Sequence, residues 1–222
     1  TGSQLDSVAD QLTVAQIGHL TDSQLRALGG TNNRLFEKNN YALNYLNGIS
    51  RDRVSLLNPD LFRCFIYGSE QVRNDFYAGL TSAQLAVMSQ ENLKYWGLGQ
   101  VSLLSPSAIG GMSVDGLRSL GAYSWNGTGY SNQHQAVLAS FSAAQMAALT
   151  ATQVAPIIGS FTDAQLQNLS ASAIGGFWTD ATLRSLTREG HSVLSILTAK
   201  QIQALTGSQL DSVADQLTVA QI

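Results

Sequence analysis

Residues 142–169, SAAQMAALTATQVAPIIGSFTDAQLQNL, contain the pattern that decides the fold. A serine or threonine is followed three residues later by glutamine, and then by two apolar residues that are themselves three positions apart. A hydroxyl at the N-cap and a glutamine at N3 form a capping box, in which each side chain accepts from the other residue's backbone N–H. The two apolar residues lie on one face of the helix that follows. The pattern therefore predicts short helices, each with one buried stripe.

The same pattern recurs along the chain. Six examples of the complete pattern begin at Thr13, Thr21, Thr81, Ser142, Thr162 and Thr198. Variants that keep the cap and the apolar positions but lack the glutamine begin at Ser50, Ser105, Ser113, Ser170 and Thr179. Helix starts are thus marked from one end of the sequence to the other.

The spacing of the caps predicts how the helices pack. In the last third of the chain, caps are predicted at residues 142, 150, 162, 170, 179, 187, 198, 206 and 218, in alternating short and long steps. A short step leaves room for about two helical turns, and helices of that length are unstable alone in water. We therefore predict an all-α fold, an α-solenoid or superhelix of short paired helices, two per roughly 17–20 residues. Strands are not expected, because the apolar spacing is three and four rather than two.

The two ends of the chain carry the same sequence. TGSQLDSVADQLTVAQI occupies residues 1–17 and returns unchanged at residues 206–222, so the repeating block is 205 residues long. A fixed long period is typical of arrays. We expect the two copies to share one conformation and successive blocks to be related by one screw operation.

Two stretches interrupt the rhythm of short helices and define the expected organisation. The predicted parts are short-helix repeats at 1–30, an aromatic and basic helical segment at 31–79, short-helix repeats at 80–120, a glycine-rich aromatic loop at 121–135, short-helix repeats at 136–205 and the next block from 206 to 222.

The segment 31–79 is rich in aromatic and basic residues. It predicts one longer amphipathic helix over 35–46 and shorter helices after Ser50, Asn58 and Ser69. One interpretation is a thicker patch of core whose basic groups pair with nearby acids. The other is a contact surface between blocks or chains, because tyrosine, phenylalanine and arginine anchor interfaces. The candidate contact residues are Tyr41, Tyr45, Arg63, Tyr67 and Tyr77.

The loop 121–135, GAYSWNGTGYSNQHQ, has three glycines around an Asn-Gly turn signal. Its aromatic residues, Tyr123, Trp125 and Tyr130, form either a platform for a sugar or a neighbouring chain, or a seal that closes the loop onto the core. Glycine pairs elsewhere, at Gly110-Gly111 and Gly175-Gly176, predict helix C-caps or close helix crossings.

Composition and motifs exclude several classes of function. The chain is 44% apolar and only 12% charged, with a formal net charge of −3, so its surface is largely neutral and tolerates packing against copies of itself. No run of about eighteen apolar residues occurs, so no membrane span is predicted. The single cysteine, Cys64, is expected to be buried.

Catalytic and metal-binding motifs are missing from the sequence. The three histidines lie far apart, and His191 is placed in a helix after Thr187. No HExxH, CxxC or G-x-S-x-G motif occurs. We therefore expect no enzyme activity, no catalytic residues, no metal and no cofactor.

Residues 12–17 and 217–222, LTVAQI, resemble the opening of a TAL-effector repeat, L-T-x-x-Q followed by two apolar positions. That resemblance implies a helical solenoid that reads DNA. The 34-residue period, the base-reading pair and the lysine-glutamine segment of that family are missing here, and the acidic balance opposes phosphate contacts. No nucleic-acid partner is expected.

About two thirds of the chain is similar to the LTxxQLxxL-type tandem arrays of very large bacterial surface and secreted proteins. This resemblance implies an extended structural or adhesive role and an extracellular or cell-surface location. Together with the identical ends, it predicts a structural repeat protein that forms a filament, sheath or surface fibre and whose partner is itself, through neighbouring blocks or chains. The alternative is a solenoid scaffold that presents one face to a peptide, glycan or protein ligand.

Overall fold

A computed structural model of the chain describes residues 4–5, 8–28, 48–56, 70–125, 128–176, 179, 187–188 and 191–221. The protein is mostly helical, and its class is all-α. Its α-helices are four to nine residues long, with Glu70–Ala78 the longest of those described. The chain forms two compact units, Thr1–Val137 and Leu138–Ile222.

The first unit contains most of the described helices and one short hairpin. The helices are α1 (Val14–Gly18), α2 (Asp22–Ala27), α3 (Glu70–Ala78), α4 (Ser82–Ala86), α5 (Gln90–Leu93), α6 (Leu98–Val101), α7 (Pro106–Gly110), α8 (Val114–Ser119) and α9 (His134–Ala139), which ends just beyond the unit boundary. Turns of 3₁₀ helix span Ala9–Gln11 and Arg51–Leu56. Strands β1 (Ser124–Trp125) and β2 (Tyr130–Ser131) pair antiparallel, Trp125 opposite Tyr130.

The second unit repeats the same kind of short helix. Its helices are α10 (Ala143–Ala148), α11 (Ala151–Val154), α12 (Asp163–Asn168), α13 (Ala171–Gly175), α14 (Ala199–Ile202) and α15 (Gly207–Val213). Turns of 3₁₀ helix span Ala155–Ser160, Val193–Ile196 and Ala214–Gln216. Strands β3 (Thr187–Arg188) and β4 (His191–Ser192) pair antiparallel.

The helices begin where the capping pattern predicts. The six example motifs all form capping boxes, and the Gln24 Oε1, for example, accepts from the Thr21 N–H at 2.7 Å. Thr150 and Thr206 form capping boxes as well. The serine variants at Ser105, Ser113 and Ser170 cap their helices with the hydroxyl alone.

The caps come in pairs eight residues apart, and successive pairs stack. Within the first unit, α4 packs on α7 and α5 packs on α8. Within the second, α10 packs on α12 and α11 on α13. In these pairs the first helix packs on the first helix and the second on the second, which buries the predicted apolar stripes, such as Leu166 and Leu169. The next contact differs, because α14 packs on α13, the second helix of the preceding pair.

The distance between one pair and the next is not constant. Ser142 to Thr162 and Thr198 to Thr218 are 20-residue steps, in agreement with the predicted spacing. Thr162 to Thr198 is a 36-residue step, because the hairpin β3–β4 is inserted there. The helix cap predicted at Thr187 is therefore wrong, as is the helical placement of His191, since both residues lie in this ladder.

Two of the glycine pairs lie at close helix crossings, as expected. Gly111 follows α7, and a Cβ there would lie 2.5 Å from the Ser82 Cα. Gly175 ends α13, and a Cβ there would lie 2.2 Å from the carbonyl oxygen of Ala204. The absence of a side chain lets the stacked pairs approach to backbone contact.

Candidate assembly surface and the buried glutamines

The contact residues predicted in segment 31–79 divide into two groups. Tyr41, Tyr45, Arg63 and Tyr67 lie outside the described residues, as do Cys64 and the predicted helix over 35–46. Tyr77 is described and lies in the core, 1% exposed. Its ring is perpendicular to those of Phe76 and Trp96, with centroids 5.4 and 5.1 Å away. Tyr77 is therefore a core residue and offers no contact surface.

The aromatic residues of the loop 121–135 lie at and in the hairpin β1–β2. Tyr123 is 43% exposed, and its ring meets Tyr95 edge to face at 5.7 Å. Its N–H donates to the Lys94 carbonyl at 2.8 Å, which fixes the base of the hairpin. Trp125 and Tyr130 are backbone partners in the ladder. Of the three, Tyr123 is the one whose described side chain presents an exposed aromatic surface.

A set of glutamines that the sequence pattern identified only as caps is buried. Gln145, Gln153, Gln165, Gln201, Gln209 and Gln221 are each less than one tenth exposed. A buried amide must have hydrogen-bond partners for both its oxygen and its nitrogen, or its burial costs free energy. The capping box accounts for the oxygen alone.

Gln201 shows which groups accept a hydrogen bond from the amide nitrogen of these glutamines. Its Oε1 accepts from the N–H and the hydroxyl of Thr198, at 2.9 and 3.1 Å. Its Nε2 donates to the carbonyl oxygens of Leu166 and Leu169, at 2.8 and 2.9 Å. The amide thus uses two acceptor and two donor positions, its full complement. One side chain satisfies the start of α14 and the carbonyls that end α12.

The same arrangement recurs twice among the described residues. Gln165 Nε2 donates to the carbonyls of Leu138 and Phe141, at 2.8 and 3.3 Å. Gln221 Nε2 donates to those of Leu194 and Leu197, at 2.5 and 2.7 Å. In each case the two carbonyls are three residues apart, at the C-terminal end of a helix or 3₁₀ turn, where helical partners run out. The first carbonyl of each pair also accepts from the backbone N–H of the second residue, as the Leu138 carbonyl does from Phe141 at 3.2 Å. The glutamines therefore act as bridges between one helix start and an earlier helix end.

The sequence holds a signal for these bridges. No N3 position of a described α-helix carries an acid, although Glu serves equally in a capping box and interacts favourably with the helix dipole. A carboxylate has no N–H to donate. The second bond, to the earlier helix, explains glutamine at the three bridging positions, Gln165, Gln201 and Gln221.

The two identical end segments have the same local conformation around their 3₁₀ turn and at the threonine that follows it. The 3₁₀ turn Ala9–Gln11 corresponds to Ala214–Gln216, 205 residues later. The preceding valines have φ/ψ of −121/1° and −124/7°. The hydroxyls of Thr13 and Thr218 both donate to the glutamine Oε1 at 3.0 Å. The expectation of a shared conformation is confirmed for these residues.

The two copies bury opposite faces. In the first copy Val8 is 42% exposed and Gln16 is exposed, whereas the equivalent Val213 is 0% and Gln221 is 8% exposed. Ala9 behaves in the opposite way, buried at 1% where its counterpart Ala214 is exposed. We call the face of Val8 and Gln16, with its equivalents in the second copy, the upstream face, because Gln216 and Gln221 of that face bond to residues 192–197. The face of Ala9 is the downstream face.

Each face therefore has a known cover. Gln221 and Gln216 on the upstream face bond to residues 192–197, with Ser192 Oγ donating to Gln216 Oε1 at 2.9 Å. The downstream face of the first copy lies against Gly48, whose Cβ would be 2.8 Å from the Ile17 side chain. A copy placed between both neighbours would have both faces covered.

Other features of the described residues give no separate site. An open pocket of about 290 Å³ lies between α3 and α6, lined by Glu70, Asn74 and Gln100 among others. Across the described ranges, no three His, Cys, Asp or Glu side chains are grouped to hold a metal ion. Among those same residues, no helix combines the length and hydropathy needed to cross a bilayer. Comparisons with family models, with curated proteins and with solved structures return no match.

Proposed function

We propose that this chain is a structural repeat protein that forms an extended filament, sheath or surface fibre from identical 205-residue blocks. In this proposal the helix pairs continue as an α-solenoid, and the partner of each block is another block or another copy of the chain. An extracellular or cell-surface location is part of the same proposal.

One observation carries it: the identical end segments bury opposite faces. Each face of this segment carries groups that are buried in one of the two copies. The segment therefore reaches its full stability only when a neighbour covers each face. The exposed Val8, whose counterpart Val213 is completely buried, is apolar surface that a neighbour would remove from water. Since one 17-residue sequence carries both faces, the same contact is available at every block boundary.

The stacking of helix pairs supports the same function. The α4–α5 pair contacts the α7–α8 pair in the same way as the α10–α11 pair contacts the α12–α13 pair, and the glutamine bridges join residues 24 to 35 positions apart. Contacts limited to near neighbours, with a low surface charge, favour growth in one direction. No closing contact is required to satisfy the helix ends.

The alternative function is a scaffold that binds a glycan or protein ligand. It is favoured by the exposed ring of Tyr123, held against Tyr95 at the base of the hairpin. Aromatic faces of this kind bind sugars and protein side chains. A scaffold of this type has no need to self-associate.

Electron microscopy and sedimentation of the purified chain across a wide range of concentrations separate the two functions. We expect regular filaments or growing oligomers, and we expect Val8→Lys to suppress them. Val87→Lys is the matched control, because Val87 is 66% exposed and does not belong to either end segment. A chain that stays monomeric at all concentrations would overturn the structural function in favour of the scaffold, and assembly insensitive to Val8→Lys would refute the assigned face.

A further inference from the structure

The receiving site for the second end segment is built from few groups. Residues 206–221 rest on the turn 192–197 through three described polar contacts: Ser192 Oγ to Gln216 Oε1, and Gln221 Nε2 to the carbonyls of Leu194 and Leu197. Val213 supplies a buried apolar side chain on the same face. The side chains of the occupant that make these three polar contacts, Gln216 and Gln221, lie on its upstream face.

The first end segment carries the same groups in the same backbone conformation. Gln11, Gln16 and Val8 correspond to Gln216, Gln221 and Val213, and all three are exposed. The turn Ala9–Gln11 and the Thr13–Gln16 capping box are already formed. Nothing in this part of the segment has to refold before it can occupy such a site.

We propose that residues 1–17 of one chain exchange with residues 206–222 of another, so that the start of one copy occupies the receiving site at the end of the next. The partner is thus a second copy of this chain, and in that respect the inference rests on the proposed function. After exchange, the incoming segment has both faces covered: the upstream face by residues 192–197 of the receiving chain, and the downstream face by its own chain. The displaced segment 206–222 is released.

Exchange replaces each contact with an identical one, so the segments themselves favour neither state. Domain swapping is a low-cost route to association for the same reason, since each element exchanges one set of contacts for an identical set. The resident segment keeps an advantage because it is tethered, at an effective concentration on the order of millimolar. Association should therefore increase when the resident segment is weakened and the incoming segment is left intact.

Single and double substitutions of the two equivalent glutamines test this directly. Gln221→Glu removes the two Nε2 bonds of the resident segment, whereas Gln16→Glu removes those that the incoming segment would make. We expect Gln221→Glu to raise the association constant of the full chain by at least about tenfold. Gln16→Glu should lower it below wild type, and the double variant, in which both segments lose the same bonds, should return to about the wild-type level. Sedimentation equilibrium measures all four chains, with circular dichroism to check that helicity is kept.

The double variant separates exchange from simple damage. If Gln221→Glu promoted association only by exposing apolar surface, the double variant would associate as strongly as Gln221→Glu, and that result would overturn the proposal.

A peptide provides a readout that does not depend on filaments. A fluorescent peptide of sequence TGSQLDSVADQLTVAQI should bind the Gln221→Glu chain at least about tenfold more tightly than the wild-type chain. The same peptide with glutamine 16 replaced by glutamate should lose that binding. Equal peptide binding by both chains would exclude exchange even if wild-type filaments form, whereas peptide binding without any filaments would support exchange and count against the structural function.

Discussion

The glutamine bridge makes a sharp prediction at Gln201. Replacing it with glutamate keeps the length, the volume and the capping oxygen that accepts from Thr198. It replaces the Nε2 that donates to Leu166 and Leu169 with a second oxygen. The substitution therefore isolates the bond to the earlier helix from the cap.

The size of the effect follows from the contacts. Two hydrogen bonds worth about 1 kcal/mol each are lost, and the Leu169 carbonyl is left without this donor, which adds about 1–3 kcal/mol. The Leu166 carbonyl keeps the N–H of Leu169, at 3.2 Å. The introduced carboxylate is also buried, because Gln201 is only 2% exposed. A total destabilisation of about 3–5 kcal/mol is in the range measured when one partner of a buried charged or polar pair is removed.

Urea unfolding followed by circular dichroism measures this change. With slopes of about 1–3 kcal/mol per molar urea, the midpoint should fall by at least about 1 M. Part of the loss should be recovered at acidic pH, because burial raises the pKa of the introduced carboxyl and its protonated form can donate one bond. Stability is therefore retained best below the unfolded-state pKa and is lost as the pH rises through the raised value.

Gln24→Glu is the matched control. Gln24 forms a capping box of the same kind with Thr21, but it is exposed to solvent. An acid near a helix start is favourable by about 0.3–1 kcal/mol, so this variant should be neutral or slightly stabilised. Equal effects of Gln201→Glu and Gln24→Glu would refute the bridge, because capping alone would then account for both glutamines.

Two further predictions concern the same stack. Gly175→Ala should destabilise the protein by about 1–3 kcal/mol in urea unfolding, because its Cβ would lie 2.2 Å from the Ala204 carbonyl oxygen. Gly159→Ala should change stability little, since nothing lies within 4 Å of its Cβ, and equal effects would contradict the close crossing. Thr162→Ala should cost about 1 kcal/mol through loss of the N-cap, seen as a lower melting temperature, whereas Thr162→Ser should restore it. An unchanged melting temperature for Thr162→Ala would show that this cap contributes nothing.

Helix starts were predictable from sequence because capping is local. Thr162 and Gln165 are three residues apart, and the bonds between them depend on no other part of the chain. The apolar stripe is equally local, since Leu166 and Leu169 share a face in any helix that starts at Thr162. One box was outside the pattern: Ser89 pairs with Asn92, a shorter amide at N3 that forms the same two bonds.

The glutamine bridges could not be predicted from the sequence, because their partners depend on which helix pairs stack on each other. Gln201 and Leu166 are 35 residues apart, Gln165 and Leu138 only 27. The difference reflects the inserted hairpin β3–β4, which no periodic pattern anticipates. Its own signal was present, since two residues including Gly190 separate Thr187–Arg188 from His191–Ser192, and such short links are typical of hairpins.

The candidate contact residues show that residue type alone does not distinguish a core position from an interface position. Tyr77 and Tyr123 are both tyrosines in irregular stretches, yet Tyr77 is 1% and Tyr123 43% exposed. Tyr77 follows Phe76 on the long helix α3, where it packs on Trp96, whereas Tyr123 precedes a hairpin. Aromatic residues serve cores and interfaces alike, so only their environment separates the two roles.

The shortness of the helices explains why the end segments should control association. A helix of four to nine residues has no independent stability. Each helix pair is therefore stabilised by the neighbours that pack on its two faces. In stacked repeats, stability is a sum of nearest-neighbour terms, and a face without a neighbour lacks one of them. The exposed upstream face of Val8 and Gln16 lacks such a nearest-neighbour contact. Since the sequence that fills it is present again at residues 206–222 with that face covered, the free energy of the missing contact can be estimated within one chain. The loss of stability caused by Gln221→Glu should match the loss of assembly free energy caused by Gln16→Glu.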